Sequence, residues 1–240
     1  MNTWKQAYWL AMFELKQSKL NLLLLLIFLP LIILGFIASF ESYLDLNFVG
    51  IDFYFILSFT FAAAWTKPKY FQVQQLNDEL VASPTVVMLQ QLPISKELII
   101  KSRFIIYFIY SFPPQILLLI ALYLFTPTIQ GMMDLSLYIV FAIMWLSFGV
   151  YMGGIIPSSD AGDRASPRKV VVYAVLMLIG VIAFFTIFHI VSDYGIVHLT
   201  LIIAKKWPIL SGLISVALAY FGFIYWQSYM KKLMEKLDYL

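Results

Sequence analysis

Apolar residues fall in membrane-length runs at about Leu20 to Phe40, Gly50 to Thr66, Phe104 to Phe125, Leu135 to Ile156, Val170 to Val191 and Pro208 to Gln227. Roughly 20 such residues at 1.5 Å each cross a hydrocarbon core of about 30 Å. Each run is long enough to be a transmembrane helix, the second barely so. The pattern predicts an all-α polytopic membrane protein, with residues 1–240 forming one transmembrane domain of six helices joined by short connections. No internal repeat, low-complexity tract or Ser/Gly linker divides the chain.

Before the first run, Trp4, Ala7, Tyr8, Ala11, Met12 and Leu15 recur at helical spacing, while Lys5, Gln6, Glu14, Lys16 and Gln17 supply polar positions. This predicts an amphipathic interfacial helix with Trp4, Tyr8 and Trp9 as aromatic anchors. A plain extension of the first span is the simpler alternative. The segment is long for a signal-peptide n-region, and the run after it exceeds a usual h-region, so no cleavage is expected.

Composition agrees with the pattern. Hydrophobic residues make up 62% of the chain and charged residues 12%, against about half and a quarter in soluble domains, which leaves no room for a soluble catalytic domain. The absence of cysteine removes disulfides, thiolate nucleophiles and Cys-based metal sites. The placement of the charges is more informative than their sum. Lys5, Lys16 and Lys19 precede the first run; Lys67, Lys69, Lys96, Lys101 and Arg103 lie between the second and third; Arg164, Arg168 and Lys169 between the fourth and fifth; Lys231, Lys232 and Lys236 after the sixth. Lys205 and Lys206 fall on the other side, whose remaining charges, Glu41, Asp45, Asp52, Asp134 and Asp193, are acidic. Positive-inside therefore predicts a multi-pass cell-membrane protein with both termini in the cytoplasm.

Few motifs bear chemistry. No Gly-Lys dipeptide occurs, so a phosphate-binding Gly-x-x-x-x-Gly-Lys-Ser/Thr loop is absent. In the loop Pro157 to Lys169, Asp160 and Asp163 are candidate metal or phosphate ligands for a lipid-modifying enzyme, although their order and spacing do not match the aspartate pattern of membrane phosphatidyltransferases. His189, Asp193 and His198 are candidate metal or proton-relay groups set against a solvated outer interface. Ile196 to Ala204 reads as a short interfacial or re-entrant piece. The ionisable candidates within spans, Asp52, Asp134 and His189, sit near outer ends, which speaks against an ion-coupled carrier with midplane carboxylates. Pro30, Pro113 and Pro114 read as tolerated kinks. Gly149, Gly153 and Gly154 permit close helix packing.

The longest polar insertion is Leu92 to Arg103. Pro93 sets it off, Ser95 is an N-cap, Glu97 falls in the first turn, and Ile94 and Ile99 stand at the N′ and N4 positions of a hydrophobic staple. A capped helix start aimed at the third span is predicted. Upstream, Ser83-Pro84 is a second start signal, and Val86, Val87, Met88, Leu89 and Leu92 form an apolar surface too short to span and therefore expected to await a partner.

The sequence Leu92-Pro93-Ile94-Ser95-Lys96-Glu97-Leu98-Ile99-Ile100-Lys101-Ser102-Arg103 resembles the Leu-Pro-Ile-Ser-Arg-Lys-Glu-Ile-Val segment common in permease subunits of ABC-2 type exporters, and it occupies the same place between spans two and three. Leu92, Pro93, Ile94, Ser95 and Glu97 match that pattern; Lys96 stands where the family often shows two basic residues. The resemblance implies a cytoplasmic coupling helix, with Leu92, Pro93, Ile94, Ser95, Lys96 and Glu97 as the ATPase-coupling residues. It also implies a separate ABC ATPase subunit that binds ATP and Mg, and a homodimer or a heterodimer with a sister permease.

The expected function is thus a permease subunit without catalytic, metal or nucleotide sites of its own and without a nucleic-acid partner. The apolar spans lean toward a hydrophobic or amphipathic substrate, a peptide, lipid or drug, whose binding residues are unknown. The rival readings are an ion-coupled secondary transporter, a lipid-modifying enzyme using Asp160 and Asp163, and a membrane anchor or immunity protein without transport.

Overall fold

The computed structural model describes residues 3–17, 19–46, 48–67, 71–77 and 80–237. The apolar runs form the long helices α2 (Lys19–Leu46), α3 (Val49–Thr66), α5 (Lys96–Phe125), α7 (Leu135–Gly153), α9 (Pro167–Val191) and α11 (Pro208–Lys236). Shorter helices connect or flank them: α1 (Thr3–Gln17), α4 (Pro84–Gln90), α6 (Pro127–Met132), α8 (Ile155–Ser159) and α10 (Ile196–Lys206). Five stretches are long and apolar enough to cross a membrane, Ile27–Asp45, Lys96–Phe125, Leu135–Ser159, Arg168–Val191 and Pro208–Lys236, while the apolar stretch Val49–Phe61 of α3 is shorter. The architecture is helical, and these long apolar helices are those of a membrane protein.

The helix starts follow local chemistry. Pro stands in the first turn of α4, α6, α9 and α11, where its missing N–H is no loss. Asp134 caps α7, its Oδ1 accepting from Leu137 N at 3.2 Å. Pro30 lies inside α2, and Pro113 and Pro114 inside α5, and both helices continue through them.

The core is aromatic. Phe36, Phe40, Phe55, Phe59, Phe141 and Trp145 are buried between α2, α3 and α7, with Leu118 and Leu122 of α5 and Val197 and Leu201 of α10. Phe55 meets Trp145 edge to face at 4.6 Å, a preferred arrangement of aromatic quadrupoles. Close helix approach relies on small residues. A Cβ at Gly153 would collide with the Tyr107 hydroxyl, and one at Gly154 or Gly222 with Trp226 or Tyr151.

Two expectations change. The polar element before the third span is not a separate helix: Lys96 opens α5 and the helix runs unbroken to Phe125. Nothing breaks it between Arg103 and Phe104, because burial of Ser102, Arg103 and Phe104 carries the packed face across that boundary. The fold also contains a small antiparallel sheet in the order β1 (Gln74–Gln75), β2 (Leu80–Ala82), β3 (Asp163–Arg164), with Gln74 opposite Ala82 and Leu80 opposite Arg164. It ties the connection after α3 to the connection after α8. Strands this short lack a readable alternation of polar and apolar positions.

Candidate functional site

One end of the bundle gathers α1, α4, the first turns of α5, α8, the sheet and the last turns of α11. α4 follows Ser83, whose N–H donates to Asp160 O at 3.1 Å. The chain then turns through Gln91 to Ser95 into α5, where Ser95 Oγ accepts from Leu98 N at a long 3.4 Å. Glu97 pairs with Lys101 across one helical turn at 2.5 Å, and Lys96 Nζ donates to Met234 O of α11 at 2.9 Å.

α4 is amphipathic, and its two faces have different fates. Val86 and Leu89 pack with Ile99, Ile100, Phe104, Ala161, Met230 and Met234, and Ile94 closes the edge of that cluster. The staple pair Ile94 and Ile99 thus shares one apolar cluster. Met88 is 67% and Leu92 52% exposed, and Pro93, Ser95 and Glu97 are exposed beside them. The apolar surface expected to await a partner is therefore smaller than the sequence suggests, because Val86 and Leu89 are covered by α5 and α11. What remains outside is a tip of Met88, Leu92 and Pro93.

Two buried ion pairs brace this tip. Lys67, at the C-terminus of α3, places Nζ 2.9 and 2.8 Å from the two carboxylate oxygens of Asp160. Arg103, 1% exposed, pairs with Glu14 of α1. Glu14 is consequently an inward residue of α1 and not part of its polar face, alongside Ala7, Ala11 and Leu15. Trp4, Tyr8, Trp9 and Phe13 are exposed on α1, and Lys101 lies 4.9 Å from the centre of the Trp4 ring, a cation–π contact. Gly162, with φ of +87°, lets the chain pass tightly against Val81 and Ala82 into β3. Leu237 packs on Leu80 and Ala82.

The candidate aspartates separate. Asp160 is buried and engaged through both oxygens by Lys67, whereas Asp163 is exposed and accepts from Arg164 N at 2.8 Å. They do not form a paired carboxylate site. Lys67 and Glu14 were missed as interior residues, because each stands next to an apolar run at a place where a solvated charge is the default reading.

At the opposite end, Asp52 is buried and accepts from the Tyr43 hydroxyl at 2.5 Å, Ile196 N at 2.9 Å and Val197 N at 2.8 Å. It satisfies the first N–H groups of α10 and places a negative charge at the helix's positive end. Tyr43 Oη in turn accepts from His198 N at 3.1 Å. His189, Asp193 and His198 do not converge: no group of three His, Cys, Asp or Glu residues placed to hold a metal occurs among the described residues. His189 faces an apolar groove between α3 and α9 with Phe53 and Phe185. His198 stands edge to face with Tyr194 at 4.9 Å. A second apolar hollow, of about 290 Å³, lies among Ile56, Trp145, Phe148, Phe184 and Leu218.

The chain matches no family model, no curated protein and no solved structure.

Proposed function

We propose that this chain is the membrane-spanning subunit of an ATP-driven exporter of the ABC-2 type, working with a separate ATPase and with a second permease subunit, identical or sister. The observation that carries this reading is the tip of Met88, Leu92 and Pro93. It is apolar, exposed, and backed by the Val86, Leu89, Ile99 and Met234 cluster, and it carries the Leu-Pro-Ile-Ser-x-Glu resemblance. A short helix with a projecting apolar edge suits a groove on a partner. Since α5 runs from this tip through the bundle, a push on Leu92 is delivered directly to a long apolar helix.

In this reading the basic end lies in the cytoplasm, with both termini, and six spans cross the cell membrane, α3 being the shortest. The ATPase holds ATP and Mg; this chain contributes the path. A hydrophobic or amphipathic substrate fits apolar hollows such as the one beside Trp145. Export would follow from closure of the ATPase pair, with different contacts at the tip in the two states. The lipid-modifying alternative is weakened by the engagement of both Asp160 oxygens with Lys67.

The test is co-expression with candidate ABC ATPase subunits of the same genome. A complex whose ATP hydrolysis responds to the permease, and loses that response in Leu92→Asp, supports the reading. Hydrolysis unaffected by Leu92→Asp and Met88→Asp in a folded protein overturns it.

A further inference from the structure

The tip of Met88, Leu92 and Pro93 carries no charge of its own: from Ser83 to Ser95 the chain holds no Asp, Glu, Lys or Arg. Charge begins at its edge. α5 opens with Lys96, Glu97 and Lys101, and the last turns of α11 bring Lys231, Lys232, Glu235 and Lys236 alongside. Lys96 Nζ donates to Met234 O at 2.9 Å, and Met230 and Met234 pack with Val86 and Leu89 of α4. The Lys231 charge is close enough to act on the Glu97 carboxylate.

The result is an apolar patch bordered by an excess of positive charge. Five lysines stand against two glutamates among the described residues, and counting Asp238, which lies outside the described residues, leaves the balance basic. Glu97 is taken up by Lys101 at 2.5 Å, and Glu235 stands 4.0 Å from Lys231 in an exposed pair. Lys232 and Lys236 are exposed.

Lysines after a last apolar run are common at the cytoplasmic end of a membrane protein, and lipid headgroups are the usual taker. That rule does not set an exposed Met88 and Leu92 in their midst. α11 also passes its interfacial aromatics, Tyr225, Trp226 and Tyr229, before it reaches Lys236, seven residues further on, which is about 10 Å along a helix. Protein interfaces, by contrast, keep charge out of the centre and place it at the rim, where it steers the encounter. Resting on the exporter reading above, we infer that the tip and the last turns of α11 form one docking surface, and that the ATPase groove it enters carries acidic side chains along the rim that faces Lys232 and Lys236. Met88 and Leu92 supply the centre of the contact; the two lysines set approach and orientation. Lys96, bonded to Met234 O, holds centre and rim together.

The probe is the ABC ATPase that answers the co-expression test, offered to the full chain in discs of uncharged phosphatidylcholine. Lys232→Glu with Lys236→Glu is expected to slow association about tenfold at low salt, the gap closing near about 1 M salt, where the screening length is about 3 Å. Arg168→Glu with Lys169→Glu makes the same change in net charge at the start of α9 and is expected to leave the rate within about twofold of the parent. An unchanged rate in the α11 variant, or an equal slowing in both variants, overturns the inference, while Leu92→Asp still decides the exporter reading by itself. A rate that follows added anionic lipid and ignores Lys232 and Lys236 assigns these lysines to headgroups and overturns it as well. If no ABC ATPase associates with the parent chain, the exporter reading fails and the inference falls with it.

Discussion

Lys67 Nζ sits within 2.9 Å of both carboxylate oxygens of Asp160, and the two side chains are 4% and 2% exposed. The pair fastens the end of α3 to the turn after α8, beside the sheet that joins the same two connections. Desolvating two charges is costly, and removing one partner leaves the other uncompensated, at about 3–5 kcal/mol. Asp160→Ala and Lys67→Ala are each expected to lower Tm sharply, and Lys67→Met with Asp160→Leu to restore most of the loss. Thermal unfolding in detergent checks this: a double variant as unstable as the singles would show that the loss has another origin. Asp160→Ala is consequently a poor test of catalysis, whereas Asp163→Ala, at an exposed position, is a clean one.

Leu92 and Leu89 separate docking from folding. Leu92 is 52% and Leu89 8% exposed. Leu92→Asp is expected to leave stability within about 0.5 kcal/mol of the parent while abolishing the response of a partner ATPase. Leu89→Asp buries a charge in the Ile99 and Met234 cluster and is expected to unfold this end of the bundle. Ile94→Asp should fall between them, because Ile94 is half-buried against that cluster. ATPase rates measured with unfolding curves distinguish the three; loss of coupling in Leu92→Asp accompanied by an equal loss of stability would count against a docking role.

A methyl group at Gly153 meets the Tyr107 hydroxyl, which is itself committed to Gly149 O at 2.6 Å. Gly153→Ala is therefore expected to cost about 1–3 kcal/mol through overpacking. Removing the hydroxyl makes room, so Tyr107→Phe added to Gly153→Ala should be less destabilising than the sum of the two single changes. Strict additivity in a double-mutant cycle would mean that the two residues do not clash.

The helices were legible because each long apolar run exceeds what a soluble fold needs, and because Ser95, Asp134 and the first-turn prolines mark their starts. The start of α5 at Lys96 was legible as a cap, yet not as the start of the third long helix, since Lys101 and Arg103 read as solvated charges. What hides Arg103 and Lys67 is long-range: their partners Glu14 and Asp160 lie 89 and 93 positions away, and no local period records them. For the same reason the sequence shows Val86 and Met88 as equal members of an apolar patch, although α5 and α11 cover only the first. The hydrogen bonds of Tyr107 to Gly149 O and of Gln115 to Phe59 O were hidden in the same way, since uncharged residues in an apolar run raise no alarm until their partners are seen.

His198 supplies a pH dependence. Burial holds its imidazole below the ordinary value of about 6.5, and the nearby Asp52 carboxylate opposes that shift. A depressed histidine pKa means that the folded state binds fewer protons than the unfolded state between the two pKa values. Stability is then fully present above about pH 6.5 and declines as pH falls through that window. Because His198 is partly exposed, the decline is expected to be small, and His198→Gln should remove it. Asp52→Asn tests the opposing charge. It withdraws the attraction that favours imidazolium and weakens the acceptor for Ile196 N and Val197 N, so the variant should have a lower Tm at every pH and an acid decline that starts at the same pH but runs deeper and ends at lower pH. Unfolding curves from about pH 8 to about pH 5 decide it: a decline of unchanged depth in Asp52→Asn would show that the carboxylate does not act on His198.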